Sequence, residues 1–318
     1  MNHRFCVAPM MDITDRHERY FLRALTNEAQ LYTEMINVNA ILYGNTEKLL
    51  KFNQCEHPLG IQLGGSDPSK LGEAALIAES FGYDEINLNI GCPSSKVQKG
   101  QFGAVLMKNP SLVSSCIKAC IDKVKIPITI KCRIGVDEMD IEQDLDRFIE
   151  QIQESGCKTV VVHARKALLR GLSPKDNRNI PPLNYERVYR LKEKFFNLEI
   201  ILNGGIKSIE ESLKHLKHVD GVMVGRMAYD NPYLLNEVDN KIYDQEKVCR
   251  SKGEIIMKII PYILKEVDAG EKIQLLTKHL MGFSKGCKFA KDIRSNLAKI
   301  YLSDKPNEVL YKIANQLS

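Results

Sequence analysis

LEIILNGGIKSIEESLKHLKHVDGVMVGR, residues 198–226, reads as strand, turn, helix and strand in one unbroken run. LEIILN (198–203) and DGVMVG (220–225) are short and apolar, carry β-branched residues, and lead into or end on glycine. SIEESLKHLKH between them has helical spacing. Ser208 is placed to cap that helix, with Glu211 three residues on as its capping-box partner. Two strands joined by one helix make a βα repeat of a parallel sheet.

Six earlier runs share this character: FCVAPM (5–10), QLYTEM (30–35), LGIQLG (59–64), EINLNI (85–90), IPITIK (126–131) and KTVVVH (158–163). Most precede a stretch of helical spacing. PSKLGEAALIAESFG turns Leu71, Ala75, Ile77 and Ala78 inward and ends at Gly82. DIEQDLDRFIEQIQESG gathers Leu145, Phe148, Ile149 and Ile152 on one side. Eight strands alternating with helices predict an α/β fold, a (β/α)8 TIM barrel. A doubly wound open sheet is the alternative. It usually has fewer strands, and no G-x-G-x-x-G follows the first strand here.

The pattern changes near residue 240. KGEIIMKIIPYILKEVDAG, KIQLLTKHLMGFSKG, KFAKDIRSNLAKIYL and PNEVLYKIANQL all carry helical periodicity, and Pro261 is expected to kink the first. The expected organisation is a barrel domain over 1–240 and a small C-terminal helical bundle domain over 241–318.

Composition narrows the class. In 318 residues, 44% are apolar and 27% charged, as in a soluble globular protein. No apolar run reaches the ~18 residues of a membrane span, and the N-terminal apolar stretch is too short for a signal peptide. A cytoplasmic location is expected. The nine cysteines include no C-x-x-C pair and no zinc-ligand spacing, so most are read as reduced, hydrophobic thiols and no metal is expected. With 45 basic and 40 acidic residues, the net charge of +5 matters less than its distribution.

A barrel of this kind places its site at the C-terminal ends of the strands. Those ends carry Pro9-Met10-Met11, Glu34-Met35, Gln62-Leu63-Gly64, Asn87 and Asn89 with Cys92, Lys131 with Arg133, His163 with Arg165, Asn203-Gly204-Gly205, and Gly225-Arg226. Each alone has an ordinary reading as a solvated or satisfied side chain. Their convergence on one mouth points to a site. Glycines at the last two ends let backbone N–H groups approach an anion, and Arg226 adds a charge-assisted contact. Lys131 suits an anionic ring, and Gln62 suits the edge of a pyrimidine-like ring. Phosphate anchor, cation and amide together point to flavin mononucleotide.

NLNIGCPSSKVQKGQFG (87–103) sets Cys92 at a strand tip, and no acid lies between Gly91 and Lys108. With this stretch, VAPMMDITDRHERYFLR, VVHARKALLRGLSPKDNRNIPPLNYERV, LNGGI and VMVGRMAYDNPYL complete a pattern that resembles the tRNA-dihydrouridine synthases, most closely their A-type subgroup. The resemblance runs through nearly all of the barrel and is weaker in the C-terminal helices. There IRSNL resembles the RNA-facing segment, and Lys291 stands where arginine is expected.

The resemblance implies FMN as tightly bound cofactor, NADPH as reductant, and uridines 20 and 20a of the tRNA D-loop as substrate. It implies hydride delivery to C6 of the uracil and protonation of C5 by Cys92. It places flavin contacts on Pro9, Met10, Met11, Gln62, Lys131, His163, Asn203, Gly204, Gly205, Gly225 and Arg226, and contact with the target base on Asn89. A thiol with an ordinary pKa near ~8.5 is mostly protonated at neutral pH, which suits an acid. Lys96 and Lys99 suit closure over a flipped nucleotide. Lys175, Arg178, Lys291 and Arg294 are the expected RNA surface, Phe289, Ile293, Leu297 and Ile300 being the buried face of the helix that carries the last two. The expected partner is tRNA, with neither a membrane nor an obligate protein partner.

Three alternatives remain open in the residues. A flavin barrel acting on free pyrimidine would need no RNA. An RNA-binding module on a barrel would be colourless and still shift tRNA. An aldolase-type barrel would form a Schiff base at Lys131 and be trapped by borohydride.

Overall fold

The computed structural model describes residues 2–246 and 248–318. Eight parallel strands form the barrel: β1 Phe5–Val7, β2 Leu31–Asn37, β3 Leu59–Gly64, β4 Glu85–Asn89, β5 Ile128–Arg133, β6 Thr159–His163, β7 Glu199–Asn203 and β8 Gly221–Val224. Their order is β1-β8-β7-β6-β5-β4-β3-β2. Val7 N donates to Gln30 O (2.9 Å) and Gln30 N to Phe5 O (3.0 Å), which closes β1 onto β2. The fold is a (β/α)8 barrel with a helical C-terminal region.

The helices that matter below are α1 Arg16–Arg23, α2 Pro68–Phe81, α3 Ser95–Lys99, α4 Gln143–Glu154, α5 Ile209–His215, α6 Lys252–Asp268, α7 Ala290–Lys299 and α8 Pro306–Leu317. α2 ends at Gly82, whose φ of 97° suits the residue without a Cβ. Its buried face includes Leu71, Ala74, Ala75 and Ala78; Ile77, expected inside, is half-buried. All four apolar residues expected on the inner face of α4 are fully buried. Ser208 caps α5 by accepting from Glu211 N at 3.1 Å. The reciprocal bond is displaced by one residue, because Glu211 accepts from Lys207 N (2.7 Å) rather than from the cap. α6 runs through Pro261 to Asp268.

The C-terminal helices dock on α1. The rings of Tyr20 and Tyr262 stack at 3.7 Å, and His17 Nδ1 meets the Tyr262 hydroxyl at 2.8 Å. Arg16 Nη2 donates to Glu266 (2.5 Å) and Glu271 (2.9 Å). His17, Glu266 and Glu271 stand close enough to share a cation, but the Arg16 guanidinium already balances the two carboxylates. No helix of the described residues is long and apolar enough to cross a membrane.

Candidate active site

All eight strand ends open into one cavity of about 1050 Å³. Its wall includes Pro9, Met10 and Met11 after β1, Met35 of β2, Gln62 of β3, Asn89 and Cys92 at β4, and Lys131 and Arg133 of β5. His163 and Arg165 join from β6, Asn203, Gly204 and Gly205 from β7, and Gly225 and Arg226 from β8. Every flavin contact expected from the sequence therefore faces the same space. Glu34 and Asn87 do not. Glu34 accepts from the backbone N–H of Asp12, and Asn87 is fully buried beneath the mouth.

The wall is basic. Lys131, Arg133, Arg165, Arg178, Lys207, Arg226 and Lys285 stand against Glu211 and Asp230. Burial, with neighbouring Arg133 acting in the same direction, lowers the Lys131 ammonium to about 8. Its Nζ donates to Asn203 Oδ1 at 2.9 Å, and Asn203 Nδ2 donates to Met223 O at 2.7 Å. His163 is held neutral, well below its ordinary value, by burial and then by Arg133, Lys131, Arg165 and Arg226. A neutral imidazole among cations cannot add to the positive charge, but it offers one donor and one acceptor.

Two glycines of the β7 turn have no substitute. Gly204 has φ 115° and Gly205 φ 76°. A Cβ on Gly204 would lie 2.6 Å from His163 Cδ2, and one on Gly205 would lie 2.5 Å from Leu183 Cδ1. Gly225 differs: its φ is −114°, and a Cβ there would meet nothing nearer than Met10 Sδ at 3.5 Å. It leaves the β8 end of the cavity open to an approaching group.

Cys92 is a half-buried free thiol on the cavity wall. Its backbone N–H donates to Asn89 Oδ1 at 3.0 Å, and its carbonyl accepts from Ala104 N at 2.9 Å. Gly103, at φ 74°, lets the returning chain pass: a Cβ there would lie 2.6 Å from the Cys92 carbonyl. Arg133 is 3% exposed and donates to the carbonyls of Gly91 (3.0 Å), Lys166 (3.1 Å) and Asn177 (3.1 Å). Gln98 Nε2 donates to Pro93 O (2.7 Å) and Leu169 O (3.0 Å). Arg133 and Gln98 thus brace the Cys92 loop against the loop after β6, so most of Arg133's donors are spent on backbone rather than on a ligand.

The residues fit flavin mononucleotide. The volume stands at the upper end of ligand cavities. A glycine turn and Arg226 lie at one end, and the Gln62 amide and Lys131 at the other.

The family model described as "Dihydrouridine synthase (Dus)" matches residues 6–318. The chain belongs to the dihydrouridine synthase family. It is 51% identical over 292 residues to the "tRNA-dihydrouridine(20/20a) synthase" of Synechocystis sp., covering 92% of this chain and 87% of that protein. A protein of the same name from Pseudomonas aeruginosa is 47% identical over 298 residues, with 94% and 90% covered. That of Salmonella typhimurium is 49% identical over 298 residues, with 93% and 90% covered.

The basic residues expected to face RNA are spread out. Arg178 lines the cavity, and Lys175 lies exposed on the same loop. Lys291 and Arg294 are exposed on α7, and Arg294 Nη1 donates to Ser284 Oγ at 3.2 Å. Ser284 precedes Lys285, which reaches the cavity wall from the C-terminal helices. Sequence reasoning missed Lys285; the basic run around it was the available signal. Lys96 and Lys99 are exposed on α3 and are not part of the wall. Phe289, expected inside, is 45% exposed ahead of α7, whereas Ile293, Leu297 and Ile300 are buried.

Proposed function

We propose that this protein reduces uridine to 5,6-dihydrouridine in the tRNA D-loop, at positions 20 and 20a, using bound FMN and NADPH. The observation that carries the reading is the single basic cavity on which all eight strand ends and Cys92 meet, in a chain of this family. Bound there and reduced by NADPH, FMN would supply the hydride for C6 of the uracil. Gly204, Gly205, Gly225 and Arg226 would take its phosphate, and Lys131, Gln62, His163 and Asn203 would hold its ring, with Pro9, Met10 and Met11 beside it.

Asn89 holds the target base. The Cys92 thiol gives its proton to C5 and is left as thiolate, close to Lys131, Arg133 and Arg178, whose charges stabilise it. Solvent restores the proton once the product leaves. A uracil inside folded RNA reaches this depth by flipping out. We assign 1–240 as the catalytic domain and 241–318 as a tRNA-binding domain, with Lys175, Arg178, Lys291 and Arg294 on the phosphate backbone. NADPH enters through the same mouth, and the protein acts in the cytoplasm.

The test is direct. Purified protein should be yellow and should convert uridine 20 of unmodified tRNA with NADPH. A colourless protein that cannot be loaded with FMN would refute the reading.

A further inference from the structure

The lumen of the barrel is divided. On one side Cys6, Ala8, Tyr32, Val161, Ile201 and Met223 form an apolar cluster. On the β3–β5 side it is polar although buried: Gln62 is 1% exposed, Glu85 0%, Asn87 0% and Thr129 1%. Alternation along β4 brings Glu85, Asn87 and Asn89 to one face. The register sets Gln62 beside Asn87 and Asn87 beside Thr129.

One chain of hydrogen bonds runs through these side chains. Asn89 Oδ1 accepts from the backbone N–H groups of Gly91 (3.2 Å) and Cys92 (3.0 Å). Asn89 Nδ2 donates to Gln62 Oε1 (2.7 Å), Gln62 Nε2 to Asn87 Oδ1 (2.7 Å), and Asn87 Nδ2 to Thr129 Oγ1 (2.8 Å). Thr129 Oγ1 donates to Glu85 Oε1 at 2.5 Å.

The sense of this chain is dictated from both ends, by backbone donors at the mouth and by the Glu85 carboxylate below, which can only accept. Backbone N–H groups can only donate, so the Asn89 oxygen must face them and its nitrogen must face Gln62. Each amide then fixes the next, and the Thr129 hydroxyl is left to donate to the carboxylate below. No amide can turn over without setting two donors or two acceptors face to face in a buried place, which is costly. The Asn89 oxygen has both lone pairs engaged, so its side chain retains one N–H and no acceptor.

We propose that Asn87 and Thr129, which do not reach the cavity, are positioning residues that lock Gln62 and Asn89 in one hydrogen-bond sense, so that Asn89 meets a ring in the mouth as a donor only. This rests on the reading of the cavity as a flavin and uracil site. A uracil ring offers carbonyl acceptors; an amide free to turn would serve an exocyclic amino group equally well. The lock makes the mouth select a ring carbonyl.

The test uses the apoprotein with ¹⁵N in its Asn and Gln side chains. In the wild type, Gln62, Asn87 and Asn89 should each give one slowly exchanging amide pair. Thr129→Val removes the hydroxyl at nearly constant volume. It should bring fast exchange or a second set of signals at Gln62 and Asn89, and roughly tenfold weaker FMN binding. Thr129→Ser, which keeps the hydroxyl, should restore both. Unchanged Gln62 and Asn89 signals in Thr129→Val would overturn the proposal. Fast exchange at Gln62 or Asn87 in the wild type would overturn it even if the valine variant does not fold. If wild-type apoprotein takes up no FMN, the flavin reading fails while the amide signals still decide the lock.

Discussion

Lys131 Nζ reaches from β5 to Asn203 Oδ1 on β7, 2.9 Å away, across the intervening β6. This contact places an ammonium with a pKa lowered to about 8 in the middle of the mouth. The unfolded chain keeps its lysine protonated to about pH ~10.4. Between those values the unfolded state binds the extra proton, so this group makes the apoprotein more stable as pH rises. Below that window the buried charge costs stability, and a bound anion offsets the cost. FMN binding should therefore take up a proton between roughly pH 8 and 9 and weaken above it. Calorimetry in buffers of different ionisation enthalpy reads the uptake. Lys131→Met should abolish it and weaken binding roughly 10- to 100-fold. Equal uptake in the variant would clear Lys131 of the role.

Gly204 and Gly225 should answer differently to substitution. Gly204→Ala combines a positive φ with a Cβ 2.6 Å from His163, and should cost about 1–3 kcal/mol of stability. At Gly204, Asp would therefore mix strain with charge. Gly225→Asp meets no such obstacle, and sets a carboxylate where the phosphate is proposed to lie. It should melt near the wild-type temperature and purify without colour. Full flavin content in Gly225→Asp would remove the phosphate anchor from the β8 turn.

The eight strands were legible because each is a short, β-branched run punctuated by glycine or polar residues. LGIQLG matches β3 residue for residue. The cavity wall was legible for a related reason: in a barrel, strand ends converge whatever the details. What single runs do not carry is register. Gln62, Asn87 and Thr129 come together through the offsets between β3, β4 and β5, so their chain of bonds was invisible. Phe289 kept the helical spacing of Ile293 but lies one residue ahead of α7, where the chain has not begun to wind. Lys285 is remote in sequence from the rest of the wall, and only docking of the C-terminal helices brings it there.

His279 ties those helices to α1. Its Nε2 lies 3.0 Å from Asp15 Oδ2 and its Nδ1 3.0 Å from Glu18 Oε2. Burial works against the imidazolium, but the two carboxylates outweigh it and raise the pKa. Stability from a raised histidine is complete below ~6.5 and is lost as pH climbs through the folded value. Glu18, raised by its own burial, loses stability in the same direction. Asp15, held low by His279 against its burial, loses stability only under acid conditions. The wild-type melting temperature should fall on going from pH 6 to 8, below the window in which Lys131 acts, and His279→Gln should flatten that slope. A slope unchanged in the variant would place the pH dependence elsewhere.

The RNA surface should respond to salt. Removing Lys175, Lys291 or Arg294 should weaken tRNA binding and reduce the salt slope by roughly one unit per lost phosphate contact. NADPH oxidation with a small electron acceptor should be unchanged in these three. Arg178 lines the cavity, so its loss should also slow turnover of bound tRNA. Wild-type salt slopes in the α7 variants would give that helix another role.

Cys92→Ala should separate the two half-reactions. The thiol is half-buried, with one side on the cavity wall and the other packed against the core, so its removal should cost little, about 1 kcal/mol or less. Flavin content should persist, because the proposed anchors lie on other strands. NADPH should still bleach the flavin, because that step needs no proton from the cysteine. Reoxidation by unmodified tRNA should slow by roughly 10²–10⁴-fold, the loss expected for a positioned general acid. Gln98→Leu is the companion variant. It leaves the thiol in place but removes the donor that braces Pro93 against Leu169. It should slow the same half-reaction by a smaller factor and leave flavin reduction alone. The measurement is single-turnover reoxidation by tRNA, read at the flavin band. If Cys92→Ala reoxidises at the wild-type rate, the proton comes from water or from another group at the mouth. The bracing of this loop would then serve entry of the base rather than the chemistry.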